Sequence, residues 1–116
     1  MDHLLTLDYE SLNRLDFGVI GFDTGTAVRI YNACESMAAG LSVHRVLGNP
    51  MFTVVAPCMN NFMVAHRFEE AAAAAAELDV TIDYVLTLRM RPVRVHLRLL
   101  TRPGIEHSYV LVQRKP

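Results

Sequence analysis

Apolar and polar positions change their rhythm along this chain, from short strand-like runs to a helical middle and then to strict alternation. Residues 17–23 (Phe-Gly-Val-Ile-Gly-Phe-Asp) form a mostly apolar run that predicts a strand. Thr24-Gly25-Thr26 supplies a turn, with glycine as the residue that tolerates positive φ, and residues 27–31 return as a second strand, making a hairpin. Asn32 is placed to cap a short helix over residues 33–38 that Gly40 ends. Ser42 caps another through Leu47, and Gly48-Asn49-Pro50 breaks the pattern. Residues 51–55 are a further apolar segment. The alanine-rich stretch predicts a long helix over residues 62–78, since its run at 71–76 has the highest helix propensity available. After it the period becomes two. Leu86, Leu88 and Met90 alternate with Thr87, Arg89 and Arg91, and Val93, Val95, Leu97 and Leu99 alternate with Arg94, His96 and Arg98. Residues 108–114 complete a third strand of this kind, after a turn at Arg102-Pro103-Gly104. Such alternation marks half-buried antiparallel strands. Residues 1–14, where Leu4, Leu5, Leu7, Tyr9 and Leu12 recur irregularly, are expected to be an N-terminal cap with about one helical turn. The predicted fold class is α+β, a five-stranded antiparallel sheet with helices packed mainly on one face.

Composition narrows the function classes. At 116 residues the chain is expected to be a single domain, 1–116, able to bury a core without disulfide or metal support. With 52% hydrophobic and 20% charged residues it is not a disordered chain. A formal net charge of -1 gives no global attraction to nucleic acid or to an anionic membrane. No apolar run approaches the roughly 20 residues that span a bilayer, and the N-terminus lacks the basic start of a secretory signal, so a cytoplasmic location is expected. The two cysteines, Cys34 and Cys58, are read as reduced thiols. No CxxC, CxxCH or HExxH spacing offers a zinc or haem site, and the five histidines are dispersed. Arg89, Arg91, Arg94 and Arg98 form a basic stripe on the outer sheet face, either solvated or able to dock an acidic partner or a second subunit. Its lack of interleaved aromatics argues against RNA.

The candidate chemistry lies in two fragments. Cys58 follows Val55-Ala56-Pro57, where proline sets an extended geometry before it and places the thiol on a loop or just inside a helix. A thiol can carry an acyl group as a thioester. Upstream, Tyr31 and Glu35 flank Asn32-Ala33-Cys34. If a helix begins at Asn32 they project to the same side, where a hydroxyl and a carboxyl can share a proton with a phenolate. Glu35 donates only when protonated, which burial favours. Taken singly, each has an ordinary explanation: a buried thiol, a tyrosine packing at a strand end, a carboxylate favoured by a helix dipole.

Taken together, the strand order and these residues resemble the photoactive yellow proteins, a branch of the PAS domains, from about Leu15 to Arg114. The resemblance rests on Phe17-Gly18, Tyr31-Asn32-Ala33 with Glu35, Val55-Ala56-Pro57-Cys58, Phe68, Met90-x-Pro92, Val95-His96 and Ser108-Tyr109. It implies a blue-light photoreceptor without enzymatic turnover, carrying p-coumaric (4-hydroxycinnamic) acid as a thioester on Cys58. Tyr31 and Glu35 would hydrogen-bond the phenolate, and Ala39, Leu41, Val55, Ala56, Pro57 and Met90 would complete the pocket. In such a photocycle light isomerises the pigment, a proton passes from Glu35 to the phenolate, and a buried carboxylate is left. An unpaired buried charge costs several kcal/mol, comparable with the roughly 5–15 kcal/mol that hold a domain folded. Partial unfolding, starting at the N-terminal cap, is therefore the expected signal. The implied partner is an unidentified downstream signalling protein, with the receptor itself a monomer or weak homodimer.

The chain departs from the family pattern at several positions. Ala39 and Leu41 stand where a threonine supporting the tyrosine hydroxyl and an arginine covering the pocket are usual. Ser36 replaces a common glycine, and about two residues are missing between Pro92 and Val93. These departures bear on colour, kinetics and partner. Two other readings stay open: a pigment-free PAS domain that binds a small molecule or dimerises, and a thiol enzyme, for which no local His–Cys pattern exists.

Overall fold

The computed structural model describes residues 9–87 and 92–114. Its strands are β1 (Gly18–Phe22), β2 (Val28–Tyr31), β3 (Leu78–Leu86), β4 (Val93–Thr101) and β5 (Ser108–Arg114). They form one antiparallel five-stranded sheet in the order β2-β1-β5-β4-β3. The hairpin β1–β2 thus lies at one side and the meander β3–β4–β5 at the other. β5 joins them by pairing with β1 from Gly18↔Val112 to Phe22↔Ser108. The helices are α1 (Tyr9–Asn13), α2 (Ala33–Ala39), α3 (Val43–Val46) and α4 (Ala65–Ala73), with a π-helical turn at Met51–Val55 and a 3-10 turn at Pro57–Met59. Among the described residues, no helix is long and apolar enough to cross a membrane.

Strand alternation divides the apolar side chains between two faces. Ile20, Phe22, Val95, Leu97, Leu99, Val110 and Val112 face the main core, which the segment between β2 and β3 covers with Met51, Phe52, Val55, Met59, Val64 and Phe68. Phe22 meets Phe52 and Phe68 edge-on, with ring centroids 5.3 and 5.0 Å apart. Val19, Leu100 and Tyr109 point to the other face and pack on Leu12 of α1. The helical elements therefore lie mainly on one face, with α1 covering the other.

Three expectations need correction. The helix expected over 62–78 is only α4, and Ala75 has already turned to a φ of 49°. Alanine favours helix but buries little surface. The residues that follow alternate Leu78, Val80, Ile82, Tyr84 against Asp79, Thr81, Asp83, and this two-residue period claims them for β3. The strand expected over 86–91 consequently ends at Leu86, having paired along β4 from Leu78↔Thr101 to Leu86↔Val93. Residues 88–91, Met90 included, lie outside the described residues. In the first hairpin the positive φ falls on Thr26, at 66°, rather than on Gly25. Asp23 Oδ1 accepts from the Gly25 and Ala27 N–H groups, both at 3.0 Å, and holds the turn in that shape.

Asn32 does far more than cap. Its backbone is extended, and Oδ1 accepts from the N–H of Glu35 (3.1 Å), the helix cap expected from sequence. The same oxygen accepts from the Val19 N–H of β1 at 2.9 Å. Nδ2 donates to the carbonyls of Leu12 (2.9 Å) and Phe17 (3.0 Å). One buried amide thus binds α1, the start of β1 and the start of α2. At the far end of α2, Gly40 takes the left-handed φ of 70° and its N–H donates to Ser36 O, while the Ser36 hydroxyl donates to the Leu41 carbonyl at 2.6 Å.

Replacing Asn32 by Ala leaves two N–H groups and two carbonyls without these partners. We expect a loss of about 3 kcal/mol of stability in urea unfolding. A loss below about 1 kcal/mol would show that water takes over the amide's bonds.

Candidate functional site: a buried acid, a phenol and a thiol-bearing turn

The site begins at the end of β2. Tyr31 pairs opposite Ile20, so its side chain shares the main core with Ile20. Asn32 then starts α2 and brings Glu35 round to the same side. Tyr31 and Glu35 are both 1% exposed. The Glu35 carboxyl lies directly over Gly18, where a Cβ would collide with Oε1. Only glycine leaves room for the acid at that point of β1.

Glu35 has a partner that sequence did not suggest. Arg114, the last residue of β5, donates from both terminal nitrogens, Nη1 to Oε1 at 2.8 Å and Nη2 to Oε2 at 3.2 Å. This two-pronged geometry is that of a guanidinium on a carboxylate. In it Glu35 accepts on both oxygens. Burial weakens the charge on Arg114, but the hydrogen bonds and attraction of Glu35 outweigh it and the net shift is upward. Burial also pushes the Tyr31 hydroxyl well above the ordinary tyrosine range. Glu35 adds to this and Arg114 offsets part of it. Tyr31 is therefore a neutral donor. The Cys34 thiol is likewise raised by burial and then by Glu35, which disfavours the reactive thiolate. Cys34 and Cys58 are not bonded to each other.

Cys58 occupies the middle of the 3-10 turn Pro57–Met59. Pro57 is exposed and stands at the first position, where its missing N–H orphans nothing and its φ is preset. The turn's ladder starts with Met59 N–H on Ala56 O (2.9 Å) and Asn60 N–H on Pro57 O (3.1 Å). The Cys58 N–H precedes it, among the first-turn donors that have no intrahelical partner. The Cys58 carbonyl accepts from the Tyr84 hydroxyl at 2.6 Å and from Asn61 Nδ2 at 3.3 Å. Asn61 also reaches the Tyr84 hydroxyl and, through Oδ1, the N–H groups of Met63 and Val64. The turn is thereby fastened to β3. Asn61, three residues after Cys58, is a visible turn signal, but Tyr84 could be found only by placing β3 correctly.

The remaining expected pocket residues fall around these. Val55 and Ala56 are buried in the main core with Tyr31, and Cys58 and Leu41 pack against it half-buried. Ala39 is buried at the end of α2. A separate cavity of about 340 Å³ lies at the Phe22 and Ser108 end of the sheet, walled by Phe22, Phe52 and Phe68, and includes none of Tyr31, Glu35 and Cys58. The expected basic stripe is broken by acids on β3. Arg98 is paired with Asp79 at 2.9 Å and His96 lies 2.9 Å from Asp83; Arg89 and Arg91 lie outside the described residues.

A thiol is available on a rigid turn, and a neutral phenol, a carboxyl and a guanidinium cluster in the same buried core. No family model matches the chain. Among curated proteins it is 33% identical over 103 residues to a photoactive yellow protein of Rhodothalassium salexigens, covering 89% of this chain and 82% of that one. Among solved structures it superposes on the photoactive yellow protein domain of the sensor histidine kinase Ppr from Rhodospirillum centenum with a TM-score of 0.88. That match has 28% identity and covers 97% of this chain and 98% of that one. The PAS domain of nitrogen regulation protein NR(II) from Vibrio parahaemolyticus superposes with a TM-score of 0.63 at 14% identity, over 95% of this chain and 99% of that one. That last likeness concerns the fold alone, which is the PAS fold.

A phenol raised by the folded state binds a proton that the unfolded chain has lost above pH about 10. The contribution of Tyr31 to stability is thus complete below about pH 10 and falls as pH rises beyond it. In an alkaline titration followed by tyrosinate absorbance, Tyr31→Phe should remove a component that emerges only with unfolding. If the substitution instead removes a component that ionises in the folded protein near pH 10, the site is wetter than its geometry indicates.

Proposed function

The chain belongs to the photoactive yellow protein family, and from that premise we propose that it is a blue-light photoreceptor carrying p-coumaric acid as a thioester on Cys58. The observation that best supports this is the joint burial of Tyr31 and Glu35 in the core that Cys58 packs against. Nothing in ordinary core packing asks for a fully buried carboxyl beside a tyrosine, because each must find polar partners there.

Attachment requires an activated acid. The Cys58 sulfur attacks its carbonyl, a carbon–sulfur bond forms, the activating group leaves, and the thiol proton goes to solvent. When bound, the pigment supplies visible absorption, a double bond that isomerises, and a phenolate that can take a proton. Tyr31 would donate a hydrogen bond from its hydroxyl to that oxygen, and Glu35 beside it would, as a protonated acid, donate a second. The Cys58 N–H, ahead of the turn's ladder, is available to the thioester carbonyl. Tyr84 and Asn61 would hold the attachment point against β3 through the Cys58 carbonyl. After light, Glu35 passes its proton to the phenolate oxygen. A downstream signalling protein then reads the altered surface, and no substrate is turned over.

Purified protein mixed with activated p-coumarate should gain the mass of one p-coumaroyl group on Cys58, together with a visible band that bleaches in blue light and recovers in darkness. Cys58→Ala should show neither. A wild-type protein that stays unmodified and colourless would leave the pigment-free PAS domain as the better reading. In the loaded protein Glu35→Gln should move the band to the red, because an amide is a weaker donor than a carboxylic acid and leaves more charge on the phenolate. An unmoved band would take Glu35 away from the pigment.

A further inference from the structure

The photoreceptor reading accounts for Tyr31, Glu35 and Cys58 and leaves Arg114 unused. Its side chain is only 23% exposed, and it holds both oxygens of an acid that is almost wholly buried. The groups acting electrostatically on this end of the core come from several elements: Tyr31 from β2, Cys34 and Glu35 from α2, Asp16 from the segment before β1, and Arg114 from β5. Arg114 is the cation among these. It arrives from the sheet, whereas Glu35 arrives from the helix lying over it, so the pair bridges α2 and β5.

Resting on the photoreceptor reading, we propose that Arg114 is the counter-ion that receives the Glu35 carboxylate once its proton has moved to the pigment. In that step the Glu35 O–H bond breaks and an O–H bond forms on the phenolate oxygen. The negative charge passes to Glu35, and no other reactant takes part. The pairing of both oxygens with one guanidinium is the arrangement that holds this carboxylate. Gly18 leaves the room over β1 that the acid occupies, where a Cβ would collide with it. A buried charge that finds a partner at once does not need water to solvate it. Light then produces a reorganisation of α2 against β5 rather than a broad opening of the chain. Arg114 is a positioning residue here, acting on the pigment through Glu35.

Two measurements test this. In the pigment-free protein, unfolding of Glu35→Gln, Arg114→Gln and the double variant should give a clear interaction energy, whereas additive effects would remove the pair. In the loaded protein, hydrogen exchange over residues 10–19 and 32–40 is compared in darkness and under blue light. Wild type should gain little exchange in the light, while Arg114→Gln should gain about tenfold more, the size expected when a charge-assisted pair is lost. Arg114→Lys, which keeps the charge without the fork, should lie between them, and it carries the comparison if Arg114→Gln does not fold. Equal gains in wild type and variants overturn the role of Arg114 while leaving the photoreceptor intact. A wild-type protein that never takes up the pigment overturns both.

Discussion

The buried amide of Asn32 is the constraint on which the site depends. A helix placed against a sheet edge could begin at several residues and sit at several heights. Asn32 removes that freedom by bonding the first turn of α2, the Val19 amide of β1 and the carbonyls of Leu12 and Phe17 at the same time. With that residue pinned, Tyr31 before it must finish β2 facing the core, and Glu35 after it must fall over Gly18. The same bonds make α1 part of the site's support, because the Leu12 carbonyl accepts from the amide that starts α2.

Electrostatics at this end of the core are set by two elements that share no local sequence. Glu35 belongs to the helical segment after β2, Arg114 to the last strand, and they are separated by 79 residues. Leu41, just past the end of α2, is apolar and packs on the core, and the positive charge that meets Glu35 comes from β5. Ser36, where a glycine is common, ties the end of α2 through its hydroxyl to Leu41. The end of α2 is thus tied to Leu41 by a side-chain hydroxyl, and the cation that meets Glu35 comes from the sheet.

Local chemistry was legible in the sequence and long-range partnership was not. The Asn32 and Ser42 caps, the left-handed Gly40 and the alternation in β4 and β5 each follow from a few adjacent residues, and each stands in the structure as read. The helix at residues 62–78 failed because alanine propensity was weighed above the alternation beginning at Leu78. Burial against β4 settles that contest, since a strand there pairs along its whole length with β4 while a polyalanine helix has little to bury. Tyr84 was lost with β3. Arg114 lies in a strand that was correctly located, with the right face implied by Val110 and Val112. Nothing in one sequence, however, says which helix residue a strand-end arginine will meet. The basic stripe shows the same limit, because Asp79 and Asp83 could not be set against Arg98 and His96 until β3 was in register.

Everything at the site turns on the two-pronged hold of Arg114 on the Glu35 carboxyl. Infrared spectroscopy of the pigment-free protein at neutral pH, with carbon-13 in the glutamate side chains and Glu35→Gln as the subtraction control, observes that group directly. The account predicts that the Glu35 signal is the paired stretch of an ionised carboxylate, and that Arg114→Gln shifts it. A carbonyl stretch of a protonated acid in the wild-type protein, unaltered by Arg114→Gln, would contradict it.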